Sequence, residues 1–90
     1  MMMTQADIAR NNLAMKRALE TLESVAAGLP QKPLFDQVER MIGVRLTVED
    51  RKLLTAKMLE KEWISDRTDR IADQIVYDIT DAGRTAMLAL

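Results

Sequence analysis

The chain has no cysteine and no histidine among its 90 residues, and only three aromatic side chains. Without cysteine there are no disulfides, no thiolate chemistry and no cysteine zinc site. Without histidine the commonest general base and the commonest metal ligand are missing. Three aromatics are too few for base-stacking platforms, which argues against RNA recognition by stacking. The sequence has only two prolines and three glycines, and no apolar run of 18 or more residues that could cross a membrane. The Met1-Met2-Met3-Thr4 start shows no basic segment or apolar run of a secretory signal, so a cytoplasmic location is expected. The charges nearly cancel, with 13 basic and 14 acidic residues and a formal net charge of −1, which argues against a polybasic tail or a wholly cationic binder and leaves room for a local basic patch.

What is present is 48% apolar residue content, normal for a globular chain, in a length that fits one small domain. A domain this size has a thin stability margin, so a partner chain would help it. Residues 4–28 read as one long helix of about 25 residues, ~37 Å at 1.5 Å per residue. Thr4 and Asp7 form a capping-box pattern, and Ile8, Met15, Leu22 and Leu29 recur seven apart, joined by Leu19 and Ala26 and widened by Ala18 and Val25. Of Asn11 and Asn12, one falls on or beside this stripe, most simply at its edge in water. Gly28 is placed to cap the helix, and Pro30 and Pro33 bar its continuation.

After a turn at residues 29–33, a short second helix is expected over 34–42, with Leu34, Phe35, Val38, Met41 and Ile42 on one side and Gly43 at its end. Val44-Arg45-Leu46 is a short extended link, and Thr47 with Asp50 caps a third helix reaching about Glu62. That helix carries two apolar sides: Leu53, Ala56, Leu59 and Trp63 on one, Leu54 and Met58 on another. Such a helix is covered on more than one side, either by its own fold or by a second subunit. Two strands then read as a hairpin, residues 63–67 and 74–79, around a polar turn at 68–73. In the second strand Ile75, Tyr77 and Ile79 face one way, and Val76 and Asp78 the other. Thr80-Asp81 opens a last helix over 81–90, with Ala82, Ala86, Met87 and Leu90 as its apolar face and Gly83 weakening its first turn.

The reading is therefore a mainly α fold with a small β-hairpin, ordered helix-helix-helix-strand-strand-helix, in a single domain over 1–90. Its parts are a long N-terminal helix (1–29), a helix-turn-helix with hairpin (34–80) and a C-terminal helix (81–90). That order resembles a winged helix-turn-helix. The segments Met58-Leu59-Glu60-Lys61-Glu62-Trp63-Ile64 and Tyr77-Asp78-Ile79-Thr80-Asp81-Ala82-Gly83-Arg84 are similar to the end of the recognition helix and the close of the wing in small MarR-like and PadR-like prokaryotic regulators. There is also a likeness to small phage-encoded winged-helix proteins. The likeness covers residues 34–88. One departure stands out: Glu62 occupies the helix end where these families carry glycine, so either the turn differs or the helix runs on by a residue.

The resemblance implies a DNA-binding transcriptional regulator, with the third helix (about 47–62) in the major groove of duplex DNA and the wing (about 63–79) on the backbone or minor groove. Arg51, Lys52 and Thr55 are the candidate groove residues, and Arg67 and Arg70 the candidate wing residues. The cation supply is modest. Residues 45–62 carry five positive and four negative charges, and 63–90 carry three and five, with Asp66, Asp69 and Asp73 beside the wing arginines. Those three aspartates lack the glycine and glutamate of a calcium loop, since Ile71 and Tyr77 stand at the sixth and twelfth positions. No metal, no cofactor and no catalysis are expected. The competing reading is a winged-helix module for protein interaction or assembly without DNA binding. In either case a homodimer through the first helix, with help from the last, is expected.

Overall fold

The computed structural model describes residues 4–90; the Met1-Met2-Met3 run lies outside the described residues. The elements are α1 (Gln5–Glu23), α2 (Gln31–Ile42), α3 (Val48–Glu60), β1 (Ile64–Asp69), β2 (Gln74–Ile79) and α4 (Asp81–Ala89). The order helix-helix-helix-strand-strand-helix is the one expected. Each of the two expected capping boxes is formed: Thr4 Oγ1 accepts from Asp7 N at 3.1 Å, and Thr47 Oγ1 accepts from Asp50 N at 3.0 Å, with each aspartate reaching back to its cap's N–H.

The first helix is shorter than its heptad stripe predicts. Its 19 residues span ~28 Å. Ser24 closes it by bonding Thr21 O through its hydroxyl at 2.7 Å. The chain then turns so that Leu29 pairs with Tyr77 through two backbone bonds of 3.0 and 2.9 Å, adding a one-residue third edge to the hairpin. Gly28 serves that approach and not a helix end. A Cβ there would sit 2.6 Å from the Tyr77 carbonyl oxygen, and its φ is +73°. The second helix starts earlier than expected, at Gln31, because Pro33 falls in the first turn, where no N–H is needed.

The core joins Met15, Ala18, Leu19 and Leu22 of α1 to Leu34, Phe35 and Val38 of α2, Leu54 and Met58 of α3, and Ile64 and Tyr77 of the hairpin. Ala14 belongs to it, while Ile8 lies exposed beyond the core. Met41 is exposed at the edge of α2, its sulfur accepting from Thr21 Oγ1 at 3.4 Å. Asn11 is buried and does not sit in water at the stripe edge; its Oδ1 accepts from Arg10 Nε at 3.3 Å and Nη2 at 3.0 Å.

The hairpin pairs Ile64 with Ile79 through to Asp69 with Gln74, so β1 runs two residues further than the expected strand. Tyr77 is buried as alternation requires, but Ile75 is exposed because the hairpin projects past the domain body there. Val76, on the other face, is buried against the residues around Gly28. In α4, Ala86, Met87 and Leu90 pack on the core while Ala82 is exposed. Gly83 does not weaken the first turn. A Cβ there would overlap the Trp63 carbonyl, so its absence lets α4 seat against the start of the hairpin.

Glu62 settles the departure noted above. The helix does not run on: Glu62 takes the left-handed conformation itself, at φ +60°. Trp63 N bonds Met58 O at 2.9 Å and Glu62 N bonds Leu59 O at 3.0 Å, the paired bonds of a Schellman ending. A non-glycine residue pays about 1–2 kcal/mol for this backbone.

Candidate nucleic-acid interface

Helix α3 has one buried and one open face, and spacing explains which is which. Arg51, Leu54, Thr55 and Met58 are three, four and seven apart and lie on the side turned to α1 and α2. Val48, Glu49, Lys52, Leu53, Ala56 and Glu60 form the exposed side, with Lys57 at its edge. The sequence grouping of Leu53 and Ala56 with Leu59 and Trp63 is thus corrected. Leu54 and Met58 anchor the helix, Leu59 and Trp63 pack partly against the same core, and Leu53 and Ala56 face outward.

A polar frame fixes the pose of α3. The Arg51 guanidinium is only 14% exposed; its Nη2 lies 3.0 Å from both Asp36 Oδ1 and Glu39 Oε1 on α2. It also lies 5.9 Å from the Phe35 ring centroid. The other Glu39 oxygen accepts from Leu46 N at 2.6 Å, so one carboxylate ties both the turn and the helix to α2. Hydrogen bonds from Lys32 and then Arg51 hold the Asp36 carboxyl below its ordinary pKa. Thr55 is buried. Its hydroxyl donates to Arg51 O at 2.7 Å and accepts from Gln31 Nε2 at 3.0 Å. From the other side Arg10 of α1 reaches Asp50 at 3.3 Å. The Thr47 backbone N–H, chiefly, and this arginine keep the Asp50 carboxyl below its ordinary pKa.

Of the five residues singled out in the sequence, the structure therefore leaves two with open charges. Lys52 stands on the open face of α3 and Arg70 in the hairpin turn, both exposed. Arg51 and Thr55 are turned inward. Arg67 lies across the hairpin, with Nε 2.9 Å from Asp78 Oδ2 and Nη2 on Ala27 O, where it ties β1 to β2 and to the α1–α2 connection.

Sequence reasoning missed Arg45, Lys57 and Lys61. Among the described residues Arg40, Arg45, Lys52, Lys57, Lys61 and Arg70 are in no ion pair, nor is Lys16, whose ammonium donates to Leu90 O. Arg40 lies in the last turn of α2, and the other five of the first group on the α2–α3 turn, on α3 and its C-terminal cap, or on the hairpin turn. Lys61 lies 5.3 Å from the Trp63 ring centroid. Exposed Glu49, Glu60, Glu62, Asp66 and Asp73 share this surface, so it is mixed in sign. Among the described residues no group of three acidic side chains is placed to hold a metal, and no helix is long and apolar enough to cross a membrane.

Neither protein-family models nor curated protein sequences give a match to this chain.

Proposed function

We propose that this chain is a winged helix-turn-helix DNA-binding protein of the MarR/PadR-like kind, acting as a transcriptional regulator. Its open α3 face enters the major groove and its hairpin lies along the flanking backbone. The observation that carries the reading is the distribution of cations: those left without a carboxylate partner on α3, its preceding turn and the hairpin are the ones a phosphate backbone needs.

The open face also has a chemistry suited to base edges. Lys52 can donate to guanine O6 and N7, Glu49 can accept from cytosine N4, and Val48, Leu53 and Ala56 can meet thymine methyls. The neighbouring carboxylates lower the non-specific term, so discrimination between sequences outweighs bulk affinity. Arg51 and Thr55 act as struts that aim this face, and Arg67 as the clamp that aims the wing.

The proposed dimer uses what α1 and α4 leave uncovered. Ile8 and Leu13 on α1 are exposed, and Leu88 on α4 is 84% exposed. Two copies joined there would set paired α3 helices on half-sites about 34 Å apart. A monomeric mass at tens of micromolar removes this part of the proposal.

A second reading is favoured by one observation. Val48 is 60% and Leu53 44% exposed on a face of balanced charge, which also suits a protein partner. Fluorescence anisotropy on a mixed-sequence duplex at 50 and then 200 mM salt separates the two. Binding that weakens steeply with salt supports the DNA reading. No binding at 50 mM overturns it in favour of an assembly module.

A further inference from the structure

Ile71 is the most exposed large apolar residue of the described chain, at 99% of its full accessibility. It sits in the turn between β1 and β2, beyond the Thr68–Ile75 and Asp69–Gln74 pairs, where the hairpin outruns the domain body. A side chain this exposed in the folded state contributes nothing to folding, since it is as wet when the chain is unfolded. Stability therefore gives no reason for an isoleucine where hairpin turns favour glycine, asparagine or aspartate.

The turn carries its own side-chain hydrogen bonds. Asp69 Oδ1 accepts from Ile71 N at 3.0 Å and from Ala72 N at 3.3 Å, which turns that carboxylate back into the loop. Beside Ile71 stands Arg70, exposed and with no carboxylate in ion-pair range among the described residues. Arg67, in the outer half of β1, ties the hairpin to Asp78 on β2 and to Ala27 of the α1–α2 connection. The result is an apolar tip with one cation at its side, presented on a braced ribbon.

We propose that Ile71 is a wedge for the minor groove of duplex DNA. It inserts at a flexible pyrimidine–purine step and partly unstacks it while Arg70 pairs with a neighbouring phosphate. This rests on the DNA-binding reading above and adds a mechanical act to it. Apolar wedges of this size kink DNA by about 20–90°, and the pyrimidine–purine steps are the least costly to open. Asp66 and Asp73 oppose it, exposed carboxylates on β1 and at the end of the turn before β2.

The test uses the full chain on duplexes that carry a fluorophore pair at their ends and 2-aminopurine beside a central TA step. Anisotropy on the same samples reads binding separately from bending. Wild type is expected to bind, bring the ends together and brighten the 2-aminopurine. Ile71→Ser is expected to bind about tenfold more weakly, with an unchanged salt slope and neither signal. Ile71→Leu restores both. Arg70→Ala lowers the slope by about 0.9, and Asp73→Asn tightens binding. Since Ile71 has no packing to lose, the serine variant's circular dichroism matches wild type. Binding by wild type with no bend and no 2-aminopurine change overturns the wedge and leaves the DNA reading standing. Absence of binding at 50 mM salt overturns both. An Ile71→Ser variant that keeps the bend but loses self-association at tens of micromolar assigns the tip to a second copy and overturns the wedge.

Discussion

The cations of this small domain follow different rules on its two sides. On the α1–α4 side the arginines are tied down. Arg17 meets Glu20 at 2.8 Å, and Arg84 meets Glu23 at 2.7 Å and Asp81 at 2.8 Å. Those hydrogen bonds, the Glu23 bond foremost, raise the Arg84 pKa above its ordinary value. Lys16 donates to Leu90 O at 2.9 Å. On the α3–hairpin side the inward arginines are used as struts, and the outward cations are left unmatched. The difference teaches that charge count is a poor guide to a binding face. Segment totals here are near neutral everywhere, and what separates the two sides is which charges the fold has already engaged.

The largest break in that contrast comes from removing the floor of α3. Leu54 is fully buried, and Leu54→Ala should cost about 3 kcal/mol. At roughly 4–8 °C per kcal/mol in a domain this size, the thermal midpoint should fall by more than 10 °C in a circular dichroism melt. A smaller loss would mean that α3 is held mainly by its polar frame.

Arg51→Met comes next. It leaves Asp36 and Glu39 facing each other without their shared cation, at an expected cost of about 2 kcal/mol in a denaturant titration. A variant of unchanged stability that no longer binds DNA would move Arg51 from strut to contact and erase the division drawn on α3.

Glu62→Gly should run in the opposite direction. Relieving the left-handed backbone is worth about 1 kcal/mol of added stability, partly offset by the freedom glycine adds to the unfolded chain. A destabilised variant would show that the glutamate side chain has a role which offsets its strain.

The smallest effect is acid sensitivity. Asp36 and Asp50 have lowered pKa values in the fold, so their contribution is complete above the unfolded value of about 3.9 and is lost as pH falls through the folded values. Stability should therefore decline below about pH 4, and Asp50→Asn should flatten that limb. An acid limb unchanged in Asp50→Asn would show that neither the Thr47 cap bond nor the Arg10 tie makes Asp50 a source of acid sensitivity.

Element order was readable because its signals are local. Thr4 with Asp7, Thr47 with Asp50, and Thr80 mark three helix starts within four residues each, and strand alternation at 75–79 needs no distant partner. The misplaced details depend on distant contacts. The heptad stripe runs on to Leu29, yet α1 stops at Glu23 because Leu29 is drawn to Tyr77, 48 positions away in sequence. Glu62 as a residue type carries no sign of its left-handed backbone; only the resemblance marked its position as one that takes glycine. For the candidate interface a usable signal was present and unread. Arg51, Leu54, Thr55 and Met58 share one helical stripe, so choosing Leu54 and Met58 as core would have turned Arg51 and Thr55 inward and pointed to Lys57. Which arginine meets which carboxylate was not legible, because Asp36, Glu39 and Asp78 reach their partners across separate elements.

The central claim is that the unmatched cations of α3 meet phosphate while the matched ones opposite do not. The direct test is the salt dependence of duplex binding for wild type, Lys52→Ala/Lys57→Ala and Arg17→Ala/Arg84→Ala, read by anisotropy between 50 and 200 mM salt. The account predicts that the α3 pair lowers the slope by up to about 1.8, at about 0.9 for each lost phosphate contact, while the opposite pair leaves it unchanged. Equal slopes for all three proteins, or a loss confined to the Arg17 and Arg84 variant, would contradict it.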